Sequence, residues 1–477
     1  MNNKYKSLFS DTASFAVSNF ASKILTFLLI PLYTSVLSTN DYGVADLITN
    51  TINVFYPIIT LNIMESTLRF AFEKDVSKDD VLGNSLFFVL ISEVILVAVT
   101  PIVSFFSDTM YKHWVWFSVI FLGYNIQQIL SQYVKGIGKT KIFAVSGVVH
   151  TVVLITSNIV GLLVLRFGLN AYLFSIAIGF FFTSIYLIVG ARIKIRVFRI
   201  NWPLMKDMLK FSVPTIPNNI AWWVSTSADK YVIIGYLGIA ASGIYSVAYK
   251  IPSILTLLSN IFTSAWTISA IQNVDDKDGG KFQSTVYKYF NVGNVLACSA
   301  LILLAQFLGK ILFANDFYIA WRCVPFLLVA YVFSGLAGFF ASSFRAVKYT
   351  KGLFSSTFIG AIANIVLNFF FVDKFGIMGA AFTTMIGFAI TFYIRSHTVK
   401  KITDISFNLK KDTFAYLALV IQAFVICMEV PFSYLIGIVF FVLLFLIYRN
   451  ECCTFIGRVL EMAKRFLQKH SRQGDRR

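Results

Sequence analysis

Charge is scarce in this sequence. Only 13% of its 477 residues are Asp, Glu, Lys or Arg, and 57% are hydrophobic. Soluble domains contain about 25% charged residues. The composition therefore excludes an ordinary water-soluble domain and predicts a chain whose surface faces mainly lipid, which suits its 50 Phe and 22 Tyr.

Residues that build metal sites and catalytic centres are also few. None of the five cysteines forms a Cys-x-x-Cys pair and no Cys/His cluster has zinc spacing, so we expect no disulfide framework and no metal site. The sequence has no Walker phosphate loop and no recognisable nucleophile–base pair. We therefore expect a protein that is not an enzyme, has no catalytic residues, needs no cofactor and is not an ATP-driven pump. Residues 1–15 lack a signal-peptide cleavage pattern, so the first apolar run is expected to remain in the mature protein.

What the sequence does have is long apolar runs. A helix needs about 20 apolar residues to cross a bilayer core of about 30 Å. Fourteen segments approach this length: residues 9–37, 42–64, 81–106, 114–134, 142–165, 171–190, 211–237, 243–271, 289–309, 323–344, 352–372, 377–394, 413–428 and 430–448. The sequence therefore predicts an all-α, polytopic membrane protein with about 14 transmembrane helices.

The charges are distributed unevenly between the two sides that these spans define. The chain has 41 Lys and Arg against 23 Asp and Glu, a net charge of +18. With the N-terminus inside, the inside segments hold 33 Lys and Arg, whereas the outside loops hold 5. Positively charged loops stay on the cytoplasmic side, so we expect both termini and the loop 191–210 to be cytoplasmic. Because the charges lie between apolar runs, they do not indicate a nucleic-acid partner.

The chain also repeats itself. Leu37 and residues 43–46, near the start of the second span, recur at an offset of 200 as Leu237 and residues 243–246. Further matches at offsets of 208 and 210 pair residues 166–169 with 374–377, 178–180 with 386–388, and Asn158 with Asn368. They predict two homologous six-helix halves in the same orientation, residues 1–200 and 201–400. Two such halves enclose a cleft that opens alternately to each side of the membrane, which predicts a transporter.

Two further regions follow the predicted halves. Residues 401–449 are expected to form two additional transmembrane helices. Residues 450–477 contain an apolar stripe at helical spacing that is interrupted by Lys and Arg. This pattern predicts a basic amphipathic cytoplasmic tail that rests on anionic lipid.

Five short motifs carry a resemblance to a known family. They are TFLLIPLY at residues 26–33, LSTNDYG at 37–43, MESTLRF at 64–70, DKYVI at 229–233 and GIYSVAYK at 243–250. On these motifs the whole chain resembles the Wzx-type polysaccharide-biosynthesis flippases of the multidrug/oligosaccharidyl-lipid/polysaccharide exporter superfamily. The resemblance implies a flippase in a bacterial inner membrane. Its substrate would be an undecaprenyl-diphosphate-linked oligosaccharide, the repeat unit of an O-antigen, a capsule or an exopolysaccharide.

The resemblance also implies partners: the lipid-linked oligosaccharide, membrane lipid, and the polysaccharide polymerase and glycosyltransferases of the same pathway. A multidrug or cation antiporter of the same superfamily is an alternative with the same architecture, although three intramembrane lysines suit a cationic drug badly. A membrane glycosyltransferase or O-antigen polymerase is a second alternative. An enzyme of that kind needs a sizeable catalytic loop, and the longest internal loop here is residues 191–210.

Charged residues inside the predicted spans are the first candidates for function, because a charge near the bilayer centre is costly. Lys23 lies in span 1, Asp229 and Lys230 in span 7, and Lys250 in span 8. Either Asp229 pairs with Lys250 to hold the hairpin, or the three lysines line a cationic cavity that binds the diphosphate. The resemblance implies such a cavity without fixing its positions.

Four further charges are candidates near the predicted cavity. Arg69 and Arg345 close spans 2 and 10 at the cytoplasmic face, where substrate would enter. Because Arg69 follows Glu65 by four residues, a plain pair on the helix surface is the alternative. Asp46 and Glu93 are possible coupling carboxylates for an ion or proton, or else counter-ions of Lys23.

Overall fold

The computed structural model describes residues 24–194, 200–272, 279–347 and 349–454. Within these ranges, short polar side chains in front of apolar runs set the starts of several helices. The Ser38 hydroxyl accepts a hydrogen bond from the Asp41 backbone N–H at 3.0 Å, and the Asn201 side chain accepts one from the Leu204 N–H at 3.2 Å. Each satisfies a donor that the first helical turn leaves free. Every regular element in the described ranges is a helix, and the predicted all-α class is confirmed.

The helices are, in chain order, α1 (Ile30–Val36), α2 (Thr39–Ile59), α3 (Ile63–Ala71), α4 (Lys78–Ala98), α5 (Thr100–Phe106), α6 (Asp108–Lys112), α7 (Trp114–Gly136), α8 (Thr140–Ile159), α9 (Gly168–Ala191), α10 (Trp202–Ser212), α11 (Ile216–Leu237), α12 (Ile239–Ala248), α13 (Pro252–Gln272), α14 (Gly279–Leu312), α15 (Val324–Ala346), α16 (Thr350–Ile402), α17 (Leu409–Cys427) and α18 (Ser433–Ile447). A π-helical turn, Val160–Val164, extends α8. A 3-10 turn, Val213–Thr215, joins α10 to α11, and a 3-10 segment, Asn315–Cys323, precedes α15.

Several of these helices have the dimensions of membrane spans. Seven helices in the described ranges are long and apolar enough to cross a membrane, or eight if α2 and α3, which meet at a 66° bend, form one broken span. The predicted spans at 352–372 and 377–394 both lie in α16, where Gly376, at φ 60° and ψ −145°, separates two helical arms. Only glycine adopts such a conformation readily. The polytopic membrane fold is confirmed, whereas the count of fourteen spans stays a prediction.

The predicted loop at 191–210 is only partly a loop. Residues from Trp202 onward form α10, which continues to Ser212 and past the predicted boundary with span 7. The Asn201 cap and Pro203 in the first turn both favour a helix start at this point. The predicted boundary between loop and span at residues 210 and 211 was wrong, because Lys206 and Lys210 interrupt the apolar pattern of an amphipathic helix.

The described residues between 24 and 247, together with 311–318, form one compact unit. One core of this unit joins α3, α4, α7, α9 and α10 and includes Val81, Leu130, Val134, Leu187 and Met208. A second core joins α2, α7 and α9 and includes Ile48, Phe117, Phe121 and Leu173. Lipid tails are as apolar as these side chains, so close packing is what holds such helices together.

Residues 248–310 and 319–477 form the second compact unit, in which α15 is buried along most of its length. A buried polar network in this unit joins α14 and α17 to the end of α18. Asp412 Oδ1 accepts hydrogen bonds from Asn291 Nδ2 at 3.0 Å and from Tyr448 Oη at 2.9 Å. Tyr416 Oη donates to Asn291 Oδ1 at 2.7 Å. Neutral donors thus satisfy the buried carboxylate and fix the C-terminal helix pair.

Two sequence-based predictions fall beyond the described ranges. Lys23 lies outside them, and so do residues 455–477, which make up most of the predicted amphipathic tail. The division into halves at residue 200 stays a prediction as well.

Candidate functional site

Two helices that the repeat makes equivalent cross each other at glycine. A Cβ atom on Gly43 of α2 would lie 2.2 Å from the Ile239 carbonyl oxygen, and one on Gly243 of α12 would lie 2.2 Å from the Thr39 carbonyl oxygen. Both the glycines and the facing carbonyls are 200 residues apart, which is the offset of the sequence repeat. The crossing is therefore nearly self-complementary, and no larger residue than glycine fits at this distance.

A partly buried ion pair lies one helical turn beyond this crossing. Lys230 Nζ is 3.0 Å from both carboxylate oxygens of Asp46. Ser246 Oγ donates a hydrogen bond of 2.7 Å to Asp46 Oδ2. Ser246 is 200 residues after Asp46, so it is the repeat-equivalent position of the carboxylate. These three residues, which we call the Asp46–Lys230 cluster, join α2, α11 and α12.

The burial of the pair makes it sensitive to the loss of either partner. The Lys230 and Asp46 side chains are 13% and 17% exposed. At such positions, removal of one partner leaves an uncompensated charge that costs on the order of 3–5 kcal/mol. Exchange of one partner for another group of the same charge avoids that cost. The pair is therefore a point where loss of one charge is costly.

Asp229 is held separately from its neighbour Lys230. Its carboxylate is 2% exposed and accepts a hydrogen bond of 2.8 Å from Tyr245 Oη and one of 2.9 Å from the Lys230 backbone N–H. The Lys230 side chain meanwhile reaches Asp46, which agrees with the rule that adjacent helical residues do not face each other. Lys250 is partly buried and belongs to the second unit. The predicted Asp229–Lys250 pair stays a prediction.

Further hydrogen bonds extend the contact between α2 and α11. The Thr51 hydroxyl donates to the Leu47 carbonyl at 2.7 Å, so the 2.8 Å contact with Tyr231 is a bond that Tyr231 Oη donates. Trp223 Nε1 donates to the Asn50 carbonyl at 3.1 Å. The two helices are thus joined by a polar seam of which the Asp46–Lys230 cluster is the charged part.

The structure also places the remaining predicted site residues. Arg69 forms a surface pair, as one alternative proposed, but its partner is Glu73 at 2.9 Å rather than Glu65. Arg345 is exposed at the end of α15. Glu93 is partly buried on α4, and its Oε2 atom has no hydrogen-bond partner among the described residues. Of the predicted set, the structure pairs Asp46 with Lys230, whereas the Asp229 carboxylate accepts from Tyr245 and from the Lys230 backbone N–H.

Sequence reasoning missed a buried cation in the second unit. Arg395 of α16 is 8% exposed, and its guanidinium donates to Ser356 Oγ and the Ala337 carbonyl at 2.9 Å and to Thr357 Oγ1 at 2.8 Å. These neutral acceptors lie on α15 and on the first arm of α16, so Arg395 connects three helical segments. The predicted span ends at residue 394, directly before Arg395, so the apolar pattern gives no sign that this cation is buried.

No metal centre accompanies these charges in the part of the chain that the structure describes. There, no three His, Cys, Asp or Glu side chains come close enough together to hold an ion. The Asp46–Lys230 cluster itself contains one ammonium group and one carboxylate group.

The sequence profile of the polysaccharide biosynthesis protein family matches residues 8–268, which include the whole Asp46–Lys230 cluster. A probable low-salt glycan biosynthesis flippase of Haloferax volcanii is 21% identical over 227 residues, which cover 46% of this chain and 47% of that protein. The chain spans about half the length of the curated relatives it matches.

Solved structures establish the fold over a longer stretch. The lipid II flippase MurJ in an inward closed conformation has a TM-score of 0.67 at 16% identity, covering 92% of this chain and 99% of that chain. An inward-facing multidrug resistance MATE family transporter of the MOP superfamily has a TM-score of 0.64 at 14% identity, covering 81% and 98%. Together with the profile match over more than half of its length, this multi-pass membrane fold identifies the chain as a member of the polysaccharide biosynthesis protein family.

Proposed function

We propose that this chain is a flippase that moves an undecaprenyl-diphosphate-linked oligosaccharide across the cytoplasmic membrane by alternating access. The observation that carries the proposal is that a family of polysaccharide biosynthesis proteins matches the residues that contain a partly buried ion pair. The probable function of the Haloferax relative, a glycan biosynthesis flippase, supports the same class of substrate. The repeat unit of an O-antigen, a capsule or an exopolysaccharide fits this class.

In the proposed mechanism, the diphosphate competes with Asp46 for Lys230. A diphosphate carries more than one negative charge, so it is a stronger partner for an ammonium group than a single carboxylate. Its arrival releases Asp46, and the polar seam between α2 and α11 loses its charged contact. Lys23, Lys250, Arg69 and Arg345 are the further cations that the sequence offers for the diphosphate or for its entry.

The position of the glycine crossing determines which side of the membrane opens in the proposed mechanism. Asp46 is seven residues from the start of α2 and Lys230 is seven residues from the end of α11. At 1.5 Å per residue, both lie about 10 Å from those helix ends, which the predicted topology places outside. We propose that the crossing at Gly43 and Gly243 closes the outer side while the ion pair is formed, and opens when the substrate replaces Asp46.

Glu93 is the proposed coupling carboxylate. An intramembrane carboxyl with an unpartnered oxygen is a place where a proton or a cation binds. Asp46 is the other candidate, because it needs a new counter-charge each time Lys230 leaves it. Coupling of this kind also fits the alternative function, a multidrug or cation antiporter.

Reconstitution of the full chain in liposomes tests the transported substrate. A fluorescent polyprenyl-diphosphate oligosaccharide is placed in both leaflets, and a membrane-impermeant reductant bleaches only the outer one. We expect the wild-type protein to expose the inner half to bleaching and Lys230→Ala to do so at least 10-fold more slowly. Lys112→Gln is the matched control, because Lys112 pairs with Asp108 at 2.6 Å on the surface of the same unit.

The same liposomes separate the two functions. Transport of a cationic dye, with no movement of the lipid-linked oligosaccharide, would favour the antiporter and contradict the flippase. Movement of both a diphosphate-linked and a neutral polyprenyl lipid at equal rates would contradict the role of Lys230.

The proposed bacterial inner-membrane topology has both termini in the cytoplasm. Exposed side chains on the two predicted faces are Lys112 and Lys141. We expect an impermeant thiol reagent on whole cells to label Lys112→Cys and not Lys141→Cys in a cysteine-free background. The opposite labelling pattern would overturn the topology.

A further inference from the structure

The helix α10 presents a stripe of one aromatic and two basic residues. Trp202, Lys206 and Lys210 are all exposed and follow each other at four-residue spacing. A step of four residues turns the helix by about 40° relative to the previous residue, so the three side chains lie along one side of the exposed face. Asp207 and Phe211 are also exposed and lie on the other side of that face.

The opposite side of α10 is fixed to the protein. Met205 and Met208 are 3% and 0% exposed and pack into the core of α3, α4, α7 and α9. Asn84 binds the Asn201 backbone on both sides: its Nδ2 donates to the Asn201 carbonyl at 3.0 Å and its Oδ1 accepts from the Asn201 N–H at 2.9 Å. Asn201 Nδ2 also donates to Asp80 Oδ2 at 3.1 Å. These contacts hold the stripe in one orientation before any ligand binds.

The surroundings of the stripe indicate the boundary between headgroups and hydrocarbon. At its C-terminal end α10 passes through a 3-10 turn into α11, and Phe211 and Val213 at this end are 42% and 40% exposed. Tryptophan is the residue that prefers the membrane interface. Lysine stems lie along apolar surface while their ammonium groups reach toward phosphate.

We propose that the stripe Trp202–Lys206–Lys210 is a binding surface for the headgroups of anionic phospholipids. The two ammonium groups bind phosphate oxygens, and the Trp202 ring, which already contacts Phe87 edge-on at 6.3 Å, lies at the level of the glycerol esters. Because the other face of α10 is tied to α4 and packed on α3, a lipid held there steadies the connection into α11. The proposal does not depend on which substrate is transported.

Lipid titration of the detergent-solubilised full chain tests this surface. Phosphatidylglycerol and phosphatidylcholine with identical acyl chains are added, and the thermal unfolding midpoint is followed against lipid concentration. We expect phosphatidylglycerol to raise the midpoint and phosphatidylcholine to have little effect. In Lys206→Gln/Lys210→Gln the half-saturating phosphatidylglycerol concentration should rise about 10-fold or more, since each lysine near an anionic surface contributes on the order of 1 kcal/mol.

Matched variants separate this surface from net charge. Lys74→Gln/Lys141→Gln removes two exposed lysines from the same unit and should leave the half-saturating concentration unchanged. Lys206→Arg/Lys210→Arg should bind as the wild type does. Equal stabilisation by phosphatidylcholine, equal weakening in both Gln pairs, or equal stabilisation by soluble glycerol phosphate would each overturn the proposal.

A second readout places the lipid at Trp202. Phosphatidylglycerol with brominated chains quenches tryptophan fluorescence at short range. We expect the quenched signal to decrease in Trp202→Phe relative to the wild type, and in Lys206→Gln/Lys210→Gln at subsaturating lipid. If both variants are folded and their quenching is unchanged, contact between the lipid and the stripe is contradicted.

Discussion

The two compact units bury their carboxylates in different ways. Asp46 in the first unit faces a charged partner, Lys230, and both side chains keep more than a tenth of their surface exposed. Asp412 in the second unit is 6% exposed and accepts its hydrogen bonds from neutral groups, Asn291 and Tyr448. A carboxylate that is saturated by neutral donors has no partner that an anionic ligand can displace.

This difference separates a contact that can be exchanged from one that stays closed. The Asp46–Lys230 pair lies next to the point where repeat-equivalent helices cross, and in the proposed mechanism an anion takes over its ammonium group. The Asp412 network ties α14 and α17 to the end of α18 through hydrogen bonds from neutral side chains. We therefore propose a role in transport for the first carboxylate and a structural role for the second.

The largest effect is expected from Lys230→Ala. It leaves Asp46 without its counter-ion at a cost on the order of 3–5 kcal/mol, and it removes the ammonium group that we propose for the diphosphate. Transport per folded protein should fall at least 10-fold, and the thermal midpoint should fall as well. Lys112→Gln, which breaks an exposed pair, should change neither. Normal transport by Lys230→Ala would mean that the Asp46–Lys230 pair, like the Asp412 network, is not needed for transport.

A smaller effect is expected from a larger side chain at the glycine crossing. Gly243→Val places side-chain atoms where even a Cβ would lie 2.2 Å from the Thr39 carbonyl oxygen. Because backbone atoms cannot step aside, we expect a loss of about 3 kcal/mol, at the upper end for overpacked cores. The measurement is the thermal midpoint, and Gly147→Val is the control, since a Cβ there meets nothing within 4 Å. Equal midpoints for both variants would contradict the tight crossing.

Asp412→Ala tests whether the carboxylate of the second unit acts in stability alone. The substitution leaves the buried Tyr448 hydroxyl without its acceptor and Asn291 Nδ2 with only its 3.2 Å bond to Tyr448 Oη, which costs about 1–3 kcal/mol. We expect a lower thermal midpoint and less folded protein, but unchanged transport per folded molecule. A selective loss of transport at normal stability would show that this carboxylate also works in the transport cycle.

The smallest effect concerns Glu451, beyond the end of α18. Burial alone would raise the pKa of the Glu451 carboxyl, but Lys411 at 2.8 Å and Lys288 at 3.3 Å outweigh it and hold the pKa below its ordinary value of 4.5. A carboxyl with a depressed pKa stabilises the fold above its unfolded pKa, and that stabilisation is lost as the pH falls through the folded value. Because both lysines are partly exposed, the contribution is at most about 1 kcal/mol.

Thermal midpoints of the wild type and Glu451→Gln at pH 6 and pH 3 test this sign. We expect the wild type to exceed the variant at pH 6 and the gap to close at pH 3. A gap that stays constant between the two pH values would mean that the carboxyl does not titrate in this range.

Much of the fold was predictable because it depends on local pattern. The apolar runs at 114–134 and 171–190 correspond closely to α7 and α9, since lipid requires continuous hydrophobicity along a helix. Helix α10 was missed because its apolar residues occupy only one face. Arg395 was missed because α16 continues past its apolar run to Ile402, where neighbouring helices rather than water satisfy the guanidinium.

The sequence indicated which charged residues belong to the candidate site, but not which of them contact each other. Asp46 and Lys230 stand out as charges inside apolar runs, yet their 184-residue separation leaves no local signal that they meet. The repeat offset does hold such a signal for Ser246, because position 246 is the equivalent of Asp46 and equivalent helices cross there. The pairing of Arg69 with Glu73 rather than Glu65 could not be chosen, since both acids are four residues away.

The most direct test of the central claim is the double variant Asp46→Asn/Lys230→Gln, measured for stability and transport in the same preparation. Removing both charges leaves two amides that can hydrogen bond, so no charge is left uncompensated and the thermal midpoint should return close to that of the wild type. Transport of the diphosphate-linked oligosaccharide should stay at least 10-fold below the wild-type rate, because the ammonium group is still absent. Recovery of transport together with stability would contradict the account and make the Asp46–Lys230 pair a structural contact of the same kind as the Asp412 network.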